Sequence, residues 1–343
     1  MKSSLLFPGG AALLLALAGC NNGGTASNAP GAGNAAQSSM SNSTSSGGKK
    51  YSIAVIPKGT THVYWKSVEA GARKAGEELG AEITFKGPLQ ESDRASQIEI
   101  VQQFVTQGSD AIVLAPLDDV ALVKPVKSAL DKKIPVVIID SSLKGQAGTD
   151  FASYVATNNL QGGVLAGEQM VKTLGGKGKV VMLRYQEGSA STNQREAGFL
   201  SVIKKNPGIT MLVDNRYGGA TSGEAKDAAL NMVDKLKEAD GVFAPNESSA
   251  LGMLLALRQT RLAGKIKFVG FDASQPLLEG LKKDEIAALV VQNPTKMGYE
   301  GVKTAIAALK KEKVVAQIDT GVAVVTKANL NSPETKEVLN ENK

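Results

Sequence analysis

The 343-residue chain is poor in the side chains that most often carry chemistry. It has one cysteine, one histidine and one tryptophan, and aromatic residues make up only 4% of it. A single cysteine has no partner for an intrachain disulfide, and one histidine with one cysteine is too few for a zinc site built from those ligands. The chain also has no GxSxG turn and no P-loop, and no GxGxxG pattern follows its first apolar run. These absences predict a protein that is not an enzyme, holds no metal and needs no cofactor.

Basic residues are not concentrated in any part of the chain. The formal net charge of +6 is spread over the sequence without a basic run longer than two residues. This distribution is typical of a solvated surface and not of a nucleic-acid interface. We therefore expect no nucleic-acid partner.

The first 49 residues predict export and attachment to a membrane. Lys2 precedes an apolar stretch at 11–18 that is too short to span a bilayer, as in a signal peptide. The stretch ends in LAGC, which resembles a bacterial lipobox and implies a lipoprotein signal over 1–20 with Cys20 as the lipid anchor. An ordinary secretory signal with an incidental cysteine is the alternative. Residues 21–49, rich in Gly, Ser, Ala and Asn, predict a disordered tether and an extracytoplasmic domain, in the periplasm or at the cell surface.

From residue 51 onwards, short apolar runs alternate with longer amphipathic ones. The predicted strands are 51–57, 81–87, 111–116, 134–140, 178–185, 209–217, 241–246, 265–272, 286–293 and 320–326. The predicted helices are 66–80, 92–107, 119–132, 193–206, 222–238, 248–260, 276–283 and 296–311. Strands separated by helices at this spacing predict parallel sheets covered on both faces.

The alternation stops after residue 140, restarts near 178, and its second half repeats the first. IPVVIID at 134–140 and KFVGFD at 267–272 both run from apolar residues into an aspartate, and an Ala-Pro pair ends a strand in each half. The repetition predicts an α/β fold of two similar doubly wound, Rossmann-like lobes. We expect an N-terminal lobe of 50–157 plus 293–319, a C-terminal lobe of 158–292 plus 320–330, and a polar tail at 331–343.

Sheets of this kind bind ligands outside the carboxyl ends of their strands. The residues that directly follow the predicted strands are therefore the candidates for a ligand site. They are His62, Tyr64, Trp65, Ala115, Asp140, Ser141, Asn246, Glu247, Asp272 and Gln292. Most of these side chains form hydrogen bonds, and the chain's only histidine and only tryptophan are among them.

Several motifs occur in the order in which one known family has them. They are AGARKAGEELG at 70–80, PVVIID at 135–140, TNNLQGGVLAGE at 157–168, REAGF at 195–199, FAPNESSALG at 243–252 and VGFD at 269–272. Over about 51–326 the chain resembles the type I periplasmic binding proteins of ABC sugar transporters, especially the ribose-binding branch. The resemblance implies a monomer whose lobes, joined by crossover hinge strands, close on a sugar or polyol and deliver it to ABC permease transmembrane subunits. A sensory lipoprotein that presents its closed form to a chemoreceptor or a histidine kinase is the alternative.

The resemblance also implies a ligand-binding set. In the family, the loop after the first strand offers a polar residue and two aromatic residues, one on each side of the sugar ring. The full set here is His62, Tyr64, Trp65, Asp140, Ser141, Arg195, Asn246, Asp272 and Gln292. Local structural roles are the alternatives: helix caps for the aspartates and Asn246, a surface position for Arg195, a hinge role for Gln292, core packing for the aromatics and a solvated loop for His62.

Four positions depart from the ribose-binding pattern. His62 and Ala115 stand where asparagine is more common, Ser141 stands where arginine is more common, and Gly218 stands where an aromatic residue often follows the strand at 209–217. These departures predict a ligand other than ribose, such as a different pentose, a hexose or a polyol.

Overall fold

Residues 50–340 are described by the structure, a computed structural model of the protein. The predicted signal peptide, the tether and the lipid anchor at Cys20 lie outside the described residues, as do residues 341–343. Among residues 50–340, no helix is both long and apolar enough to cross a membrane.

Strands and helices alternate along the described chain. The strands are β1 (Tyr51–Ile56), β2 (Ala81–Phe85), β3 (Ala111–Leu114), β4 (Val136–Ile139), β5 (Ser153–Ala156), β6 (Gly178–Arg184), β7 (Ile209–Tyr217), β8 (Gly241–Phe243), β9 (Lys267–Phe271), β10 (Ala288–Gln292), β11 (Gln317–Asp319) and β12 (Val322–Val325). The helices are α1 (Val63–Leu79), α2 (Arg94–Gln107), α3 (Val123–Asp131), α4 (Asn159–Leu174), α5 (Ala190–Lys204), α6 (Ser222–Leu230), α7 (Val233–Glu238), α8 (Glu247–Gln259), α9 (Gln275–Lys282), α10 (Pro294–Leu309) and α11 (Pro333–Asn340).

The strands form two sheets of the same design. The strand order is β11-β5-β4-β3-β1-β2 in the first sheet and β12-β10-β9-β8-β6-β7 in the second. Neighbouring strands are parallel, except that β10 and β12 are antiparallel. The predicted α/β class with two doubly wound lobes is confirmed, and β4 of the first sheet corresponds in position to β9 of the second.

Helices cover both faces of each sheet, which explains why the central strands are apolar throughout. The AIVL of β3 and the VVII of β4 are buried along their whole length. In the first lobe, α1 and α10 cover one face through residues such as Val68 and Met297, and α2 and α3 cover the other through Ile100 and Val126. Because both faces of these strands are packed, their polar neighbours in sequence lie at the strand ends.

The chain crosses between the lobes three times. After β5 it enters α4, which packs on α5 and on β9 and β10 of the second lobe. After β10 it returns through α10, which packs on α1 and on β3 and β4. The third crossing joins β11 to β12 through Gly321, whose φ of 90° favours glycine. These are the crossover segments that the resemblance implies.

A close helix contact positions one side chain of the predicted site. A Cβ atom on Gly163 of α4 would lie 2.0 Å from the carbonyl oxygen of Arg195, and one on Gly198 of α5 would lie 2.2 Å from that of Leu160. Only glycine permits this approach. The glycines of two family-like motifs therefore bring Arg195 against α4.

Several predicted boundaries differ from the observed ones. The helix predicted at 66–80 begins at Val63, one turn earlier, and the helix predicted at 222–238 is divided into α6 and α7. Strands β5 and β11 and helix α4 were not among the predicted elements. The sequence of β11, QID, is largely polar and exposed and therefore gives no apolar run. The predicted polar tail contains α11.

Candidate functional site

The strand ends of the two lobes face each other across a narrow cleft. Eight of the nine residues predicted to bind ligand line it, and Ser141 lies directly behind it, bonded to the lining residue Ser191. The eight are His62, Tyr64, Trp65, Asp140, Arg195, Asn246, Asp272 and Gln292. Seven of the eight were candidates by the strand-end rule and Arg195 was implied by the resemblance, and the fold brings together residues that are up to 230 positions apart in sequence.

Two aspartates occupy corresponding places in the two lobes. Asp140 follows β4 and Asp272 follows β9, and both have left-handed backbones, with φ of 63° and 68°. Aspartate tolerates this conformation better than most residues do because its short polar side chain bonds locally. The conformation turns each carboxylate from the end of its strand into the cleft, where they are only 4% and 6% exposed. Neither aspartate is the N-cap of a helix.

Arg195 is fixed in the second lobe by three hydrogen bonds. Its Nε donates to Oδ1 of Asn159 at 2.8 Å, and its two terminal nitrogens donate to the carbonyl oxygen of Pro245 and to Oε1 of Gln292, at 2.9 and 2.7 Å. The guanidinium lies over the ring of Phe271, 4.0 Å from its centroid. Arg195 is 2% exposed, so it is not a surface arginine.

Gln292 connects this arginine to Asp272. Its Nε2 donates to Oδ1 of Asp272 at 2.7 Å, and the backbone N–H of Glu247 donates to Oδ2 of the same carboxylate at 2.8 Å. Burial raises the pKa of Asp272, while Arg195 and these two donors act in the opposite direction. The result is a rigid acceptor with lone pairs left for a ligand, since each ionised carboxylate oxygen can accept about two hydrogen bonds.

The first lobe contributes a second cluster of polar side chains, centred on Asp140. Lys58 lies 2.7 Å from Oδ2 of Asp140, and the hydroxyl of Tyr64 donates to Oδ1 at 3.0 Å. Lys58 also donates to the hydroxyl of Ser191 in the second lobe, at 3.0 Å, and the hydroxyl of Ser141 donates to the same atom at 2.9 Å. Polar contacts therefore join the two lobes directly at this point.

His62 makes protein contacts with both ring nitrogens. Its Nδ1 lies 2.7 Å from Oε1 of Glu91, and its Nε2 lies 3.1 Å from the carbonyl oxygen of Ala220 in the second lobe. Burial lowers the pKa of His62, but the paired carboxylate outweighs it and the pKa rises from 6.5 to about 9. Burial opposes the ionisation of Glu91, yet its charged partners, His62 foremost, lower its pKa to about 2. At neutral pH, His62 is a cation that donates from both sides of its ring.

Tyr64 and Trp65 do not form two walls around a sugar ring. Their rings contact each other edge to face, with centroids 5.0 Å apart and planes at 87°. Rings in direct contact leave no space between them for a sugar ring, and the contact of either ring with a ligand stays a prediction. Trp65 is 2% exposed, packs in the core of the first lobe, and donates its Nε1 to Glu91 at 2.7 Å.

Asn246 takes the capping role that was the alternative to ligand contact. Its side-chain oxygen accepts the backbone N–H of Ser249 at 3.2 Å, which caps α8, and its Nδ2 donates to the hydroxyl of Ser248. The side chain still lines the cleft.

Six lining residues were absent from the predicted ligand set: Lys58, Glu91, Tyr185, Ser191, Thr192 and Glu247. Tyr185 directly follows β6 and Lys58 lies two residues after β1, so a stricter use of the strand-end rule would have found both. Glu91 lies six residues beyond β2 in a loop, and no pattern marks it. It is nevertheless central, because Oε2 accepts the hydroxyl of Tyr185 at 2.7 Å and its backbone oxygen accepts Gln186, both from the second lobe.

The charges in the cleft nearly balance. Three cations, Lys58, His62 and Arg195, face four carboxylates, those of Glu91, Asp140, Glu247 and Asp272. Burial raises the pKa of Glu247, and the neighbouring Asp272 adds to the increase. The described residues contain no cluster of His, Cys, Asp and Glu that could hold a metal ion. This arrangement presents many fixed donors and acceptors without a large net charge, which suits an uncharged polar ligand.

The pair of His62 and Glu91 predicts a pH profile for stability. Because the pKa of His62 is higher in the folded protein, its contribution is complete below pH 6.5 and is lost as the pH rises through about 9. The contribution of Glu91 is complete above pH 4.5 and is lost as the pH falls towards about 2. We expect the free energy of unfolding to be highest between about pH 4.5 and pH 6.5. From pH 6.5 to 9.5, it is expected to fall by on the order of 2 kcal/mol.

Denaturant unfolding at a series of pH values measures this profile, and the His62→Gln variant is the control. His62 is the only histidine in the chain, so no other imidazole contributes to the wild-type slope. A wild-type slope that persists unchanged in His62→Gln would contradict the prediction.

A protein with two α/β lobes, three crossover segments and a polar cleft between opposed strand ends has the architecture of a solute-binding protein that closes around its ligand. Comparison with known families agrees. Residues 53–313 match the model of the periplasmic binding protein domain, and the chain belongs to that family.

Three relatives illustrate the similarity. The D-ribose/D-allose-binding protein of Pseudomonas aeruginosa is 31% identical over 263 residues, which cover 75% of this chain and 82% of that protein. An ABC transporter solute-binding protein of Agrobacterium vitis, solved with bound D-fucose, is 39% identical, with a TM-score of 0.80 and coverage of 83% and 98%. A carbohydrate transporter solute-binding protein of Agrobacterium radiobacter, in complex with D-arabinose, is 36% identical, with a TM-score of 0.81 and coverage of 84% and 99%.

Proposed function

We propose that this protein captures an uncharged monosaccharide or a related polyol in the cleft between its lobes. The observation that carries the proposal is the cleft itself, in which Asp140, Arg195 and Asp272 are buried and held in place by other protein groups. Ionised groups that are already oriented form strong hydrogen bonds to hydroxyl groups, at about 1.5–3 kcal/mol each. Relatives solved with D-fucose and D-arabinose support the same ligand class.

The near balance of charge favours a neutral sugar over a sugar acid. A ligand carboxylate would meet four protein carboxylates, and the three cations of the cleft already face acidic or amide partners. The sequence also favours a ligand other than ribose, because Ser141 stands where arginine is more common in the ribose-binding branch, and His62 and Ala115 stand where asparagine is more common.

Binding requires lobe movement in this proposal. The two small adjoining cavities of the cleft have volumes of about 30 Å³ each, room for about one water molecule. The lobes, which we place at 50–157 plus 293–319 and at 158–292 plus 320–330, separate at the crossovers to admit the ligand and then close. In the closed cleft, an epimer that leaves a buried polar group unpaired loses affinity, which gives selectivity.

The proposed destination of the ligand is an ABC importer. The closed, monomeric protein presents surfaces of both lobes to the permease transmembrane subunits, which release the sugar for transport. Names of relatives such as the ribose import binding protein of Salmonella typhimurium, 28% identical over 279 residues, support this role.

We also propose that the protein is anchored to the membrane through a lipid on Cys20. The support is the LAGC motif at the end of the apolar stretch, followed by the tether at 21–49. In a bacterial host, the wild-type protein is expected in the membrane fraction, and the Cys20→Ser variant is expected to lose this association. Equal distribution of the two would contradict the anchor.

A thermal-shift screen tests the ligand class. Pentoses, hexoses and polyols are compared at the same concentration, and each neutral hexose is paired with its uronic acid. We expect at least one neutral sugar to stabilise the protein, by about 2.7 kcal/mol at a hundred times its Kd, and its uronic acid to have much less effect. A flat response to all neutral sugars would contradict the proposed function.

A further inference from the structure

The first helix of the N-terminal lobe begins without a cap from its own lobe. His62 is the N-cap residue of α1, but its side chain makes no capping hydrogen bond, because both ring nitrogens are engaged elsewhere. The first turn of α1 also contains no acidic residue. The first backbone N–H groups of a helix lack partners within it and need them from outside.

The missing partner comes from the opposite lobe. The carboxylate of Glu247, the first residue of α8, accepts the backbone N–H of Tyr64 at 2.9 Å through Oε2, and the neighbouring N–H of Val63 acts to lower the pKa of the same carboxylate. A carboxylate at this place also interacts favourably with the positive end of the helix dipole. Glu247 is 8% exposed, so these contacts are sheltered from water.

Glu247 also touches the proposed ligand site through its backbone. Its N–H donates to Oδ2 of Asp272 at 2.8 Å, so the aspartate that we assign to ligand binding fixes the start of α8. The side chain of the same residue then reaches across the cleft to the turn that carries Tyr64, whose hydroxyl holds Asp140. One residue therefore connects the two aspartates of the site through the beginnings of two helices.

We propose that Glu247 is a positioning residue that caps α1 only when the lobes are closed, and thereby favours the closed state. The inference rests on the proposed function, since it assumes lobe closure around a ligand. Separation of the lobes removes the carboxylate from the start of α1 and leaves the amide of Tyr64 to water. Charged groups that face Glu247 are His62 and Asp272.

A capping role differs in one respect from direct ligand contact. A cap contributes the same free energy to closure whichever sugar is bound, whereas a group that bonds a ligand hydroxyl distinguishes sugars that differ at that hydroxyl. The test therefore uses at least two sugars that bind the wild type and differ at one position.

The experiment compares Glu247→Ala and Glu247→Gln with the wild type. Loss of a helix cap is typically worth about 1 kcal/mol, so we expect Glu247→Ala to weaken affinity by roughly fivefold to tenfold, by the same factor for each sugar and mainly through faster dissociation. Glu247→Gln keeps one carbonyl acceptor and is expected to lose less. Hydrogen exchange of the amides at 63–66, slowed by sugar in the wild type, is expected to be faster in Glu247→Ala.

Glu224 provides the matched control, because it is also a capping glutamate of the second lobe. Its carboxylate accepts the backbone N–H of Thr221 at 2.9 Å, within the lobe and at the start of α6. Glu224→Ala is expected to lower the melting temperature and leave sugar affinity and the exchange at 63–66 unchanged.

Two results would overturn the proposal: affinity in Glu247→Ala equal to wild type, or a loss that differs between the sugars. If the wild type binds no sugar, the proposed function fails, and the cap is judged by exchange at 63–66 in the unliganded proteins. Faster exchange in Glu247→Ala than in the wild type then supports the cap, and equal exchange overturns it.

Discussion

Asp272→Asn is expected to weaken binding of the cognate sugar by a hundredfold or more. The substitution keeps the size of the side chain, and asparagine tolerates the left-handed backbone at this position. It removes the negative charge that makes a hydrogen bond to a sugar hydroxyl strong, and it places an amide where Gln292 and the backbone of Glu247 need acceptors. The loss of about two charge-assisted bonds, roughly 3 kcal/mol, gives the expected factor. Isothermal titration calorimetry measures it directly.

Asp284→Asn is the matched control for this substitution. Asp284 also has a left-handed backbone, with φ of 59°, but it is exposed and pairs with Lys327 on the surface. It is expected to leave affinity unchanged. An Asp272→Asn protein that is folded and binds as tightly as Asp284→Asn would remove Asp272 from the ligand site.

Arg195→Ala is expected to abolish sugar-induced stabilisation and also to destabilise the protein itself. The substitution removes three hydrogen bonds to Asn159, Pro245 and Gln292, and it removes the cation that acts to lower the pKa of buried Asp272. A buried polar group left without its hydrogen bond typically costs about 1–3 kcal/mol. Denaturant unfolding with and without sugar measures both effects.

Two further variants distinguish the specific role of Arg195 from the effect of losing any arginine in this lobe. Arg258, on the surface of the same lobe, pairs with Glu285, and Arg258→Ala is expected to cost 1 kcal/mol or less and to keep full sugar-induced stabilisation. Arg195→Lys keeps the charge but not the fork of donors, so it is expected to restore part of the stability and little of the affinity. Full stabilisation by sugar in Arg195→Ala would contradict the assignment.

The architecture and the place of the site followed from the sequence because both depend on local patterns. Strands buried on both faces are visible as apolar runs, and parallel sheets expose polar groups at one edge. Asp140 and Asp272 each directly follow such a run, and the cleft contains both. The edge strand β11 was missed because its residues, QID, are largely polar and exposed, whereas the equally short β8 is buried throughout and was predicted.

The roles of individual side chains were less accessible, because they depend on partners distant in sequence. The sequence around His62 does not show that its two ring nitrogens contact Glu91, 29 residues later, and Ala220 in the other lobe. The resemblance implied that Tyr64 and Trp65 stand on opposite sides of a sugar ring, and the sequence did not show that α1 begins at Val63 and brings the two rings into contact. Glu247 satisfied the strand-end rule, but its bond to the other lobe becomes visible only when both lobes are in place.

The three crossings between the lobes also constrain how the chain folds. The N-terminal lobe is completed by α10 and β11, so α1 cannot pack against α10 until residue 309 has been synthesised, some 230 residues after α1 ends. Contacts so distant in sequence form slowly, since a long loop must close first. Until then, α1 has the strands beneath it but lacks the helix that packs on it, so the N-terminal lobe stays incomplete. A lobe that cannot be completed before α10 and β11 have been synthesised is one that an export channel can still thread.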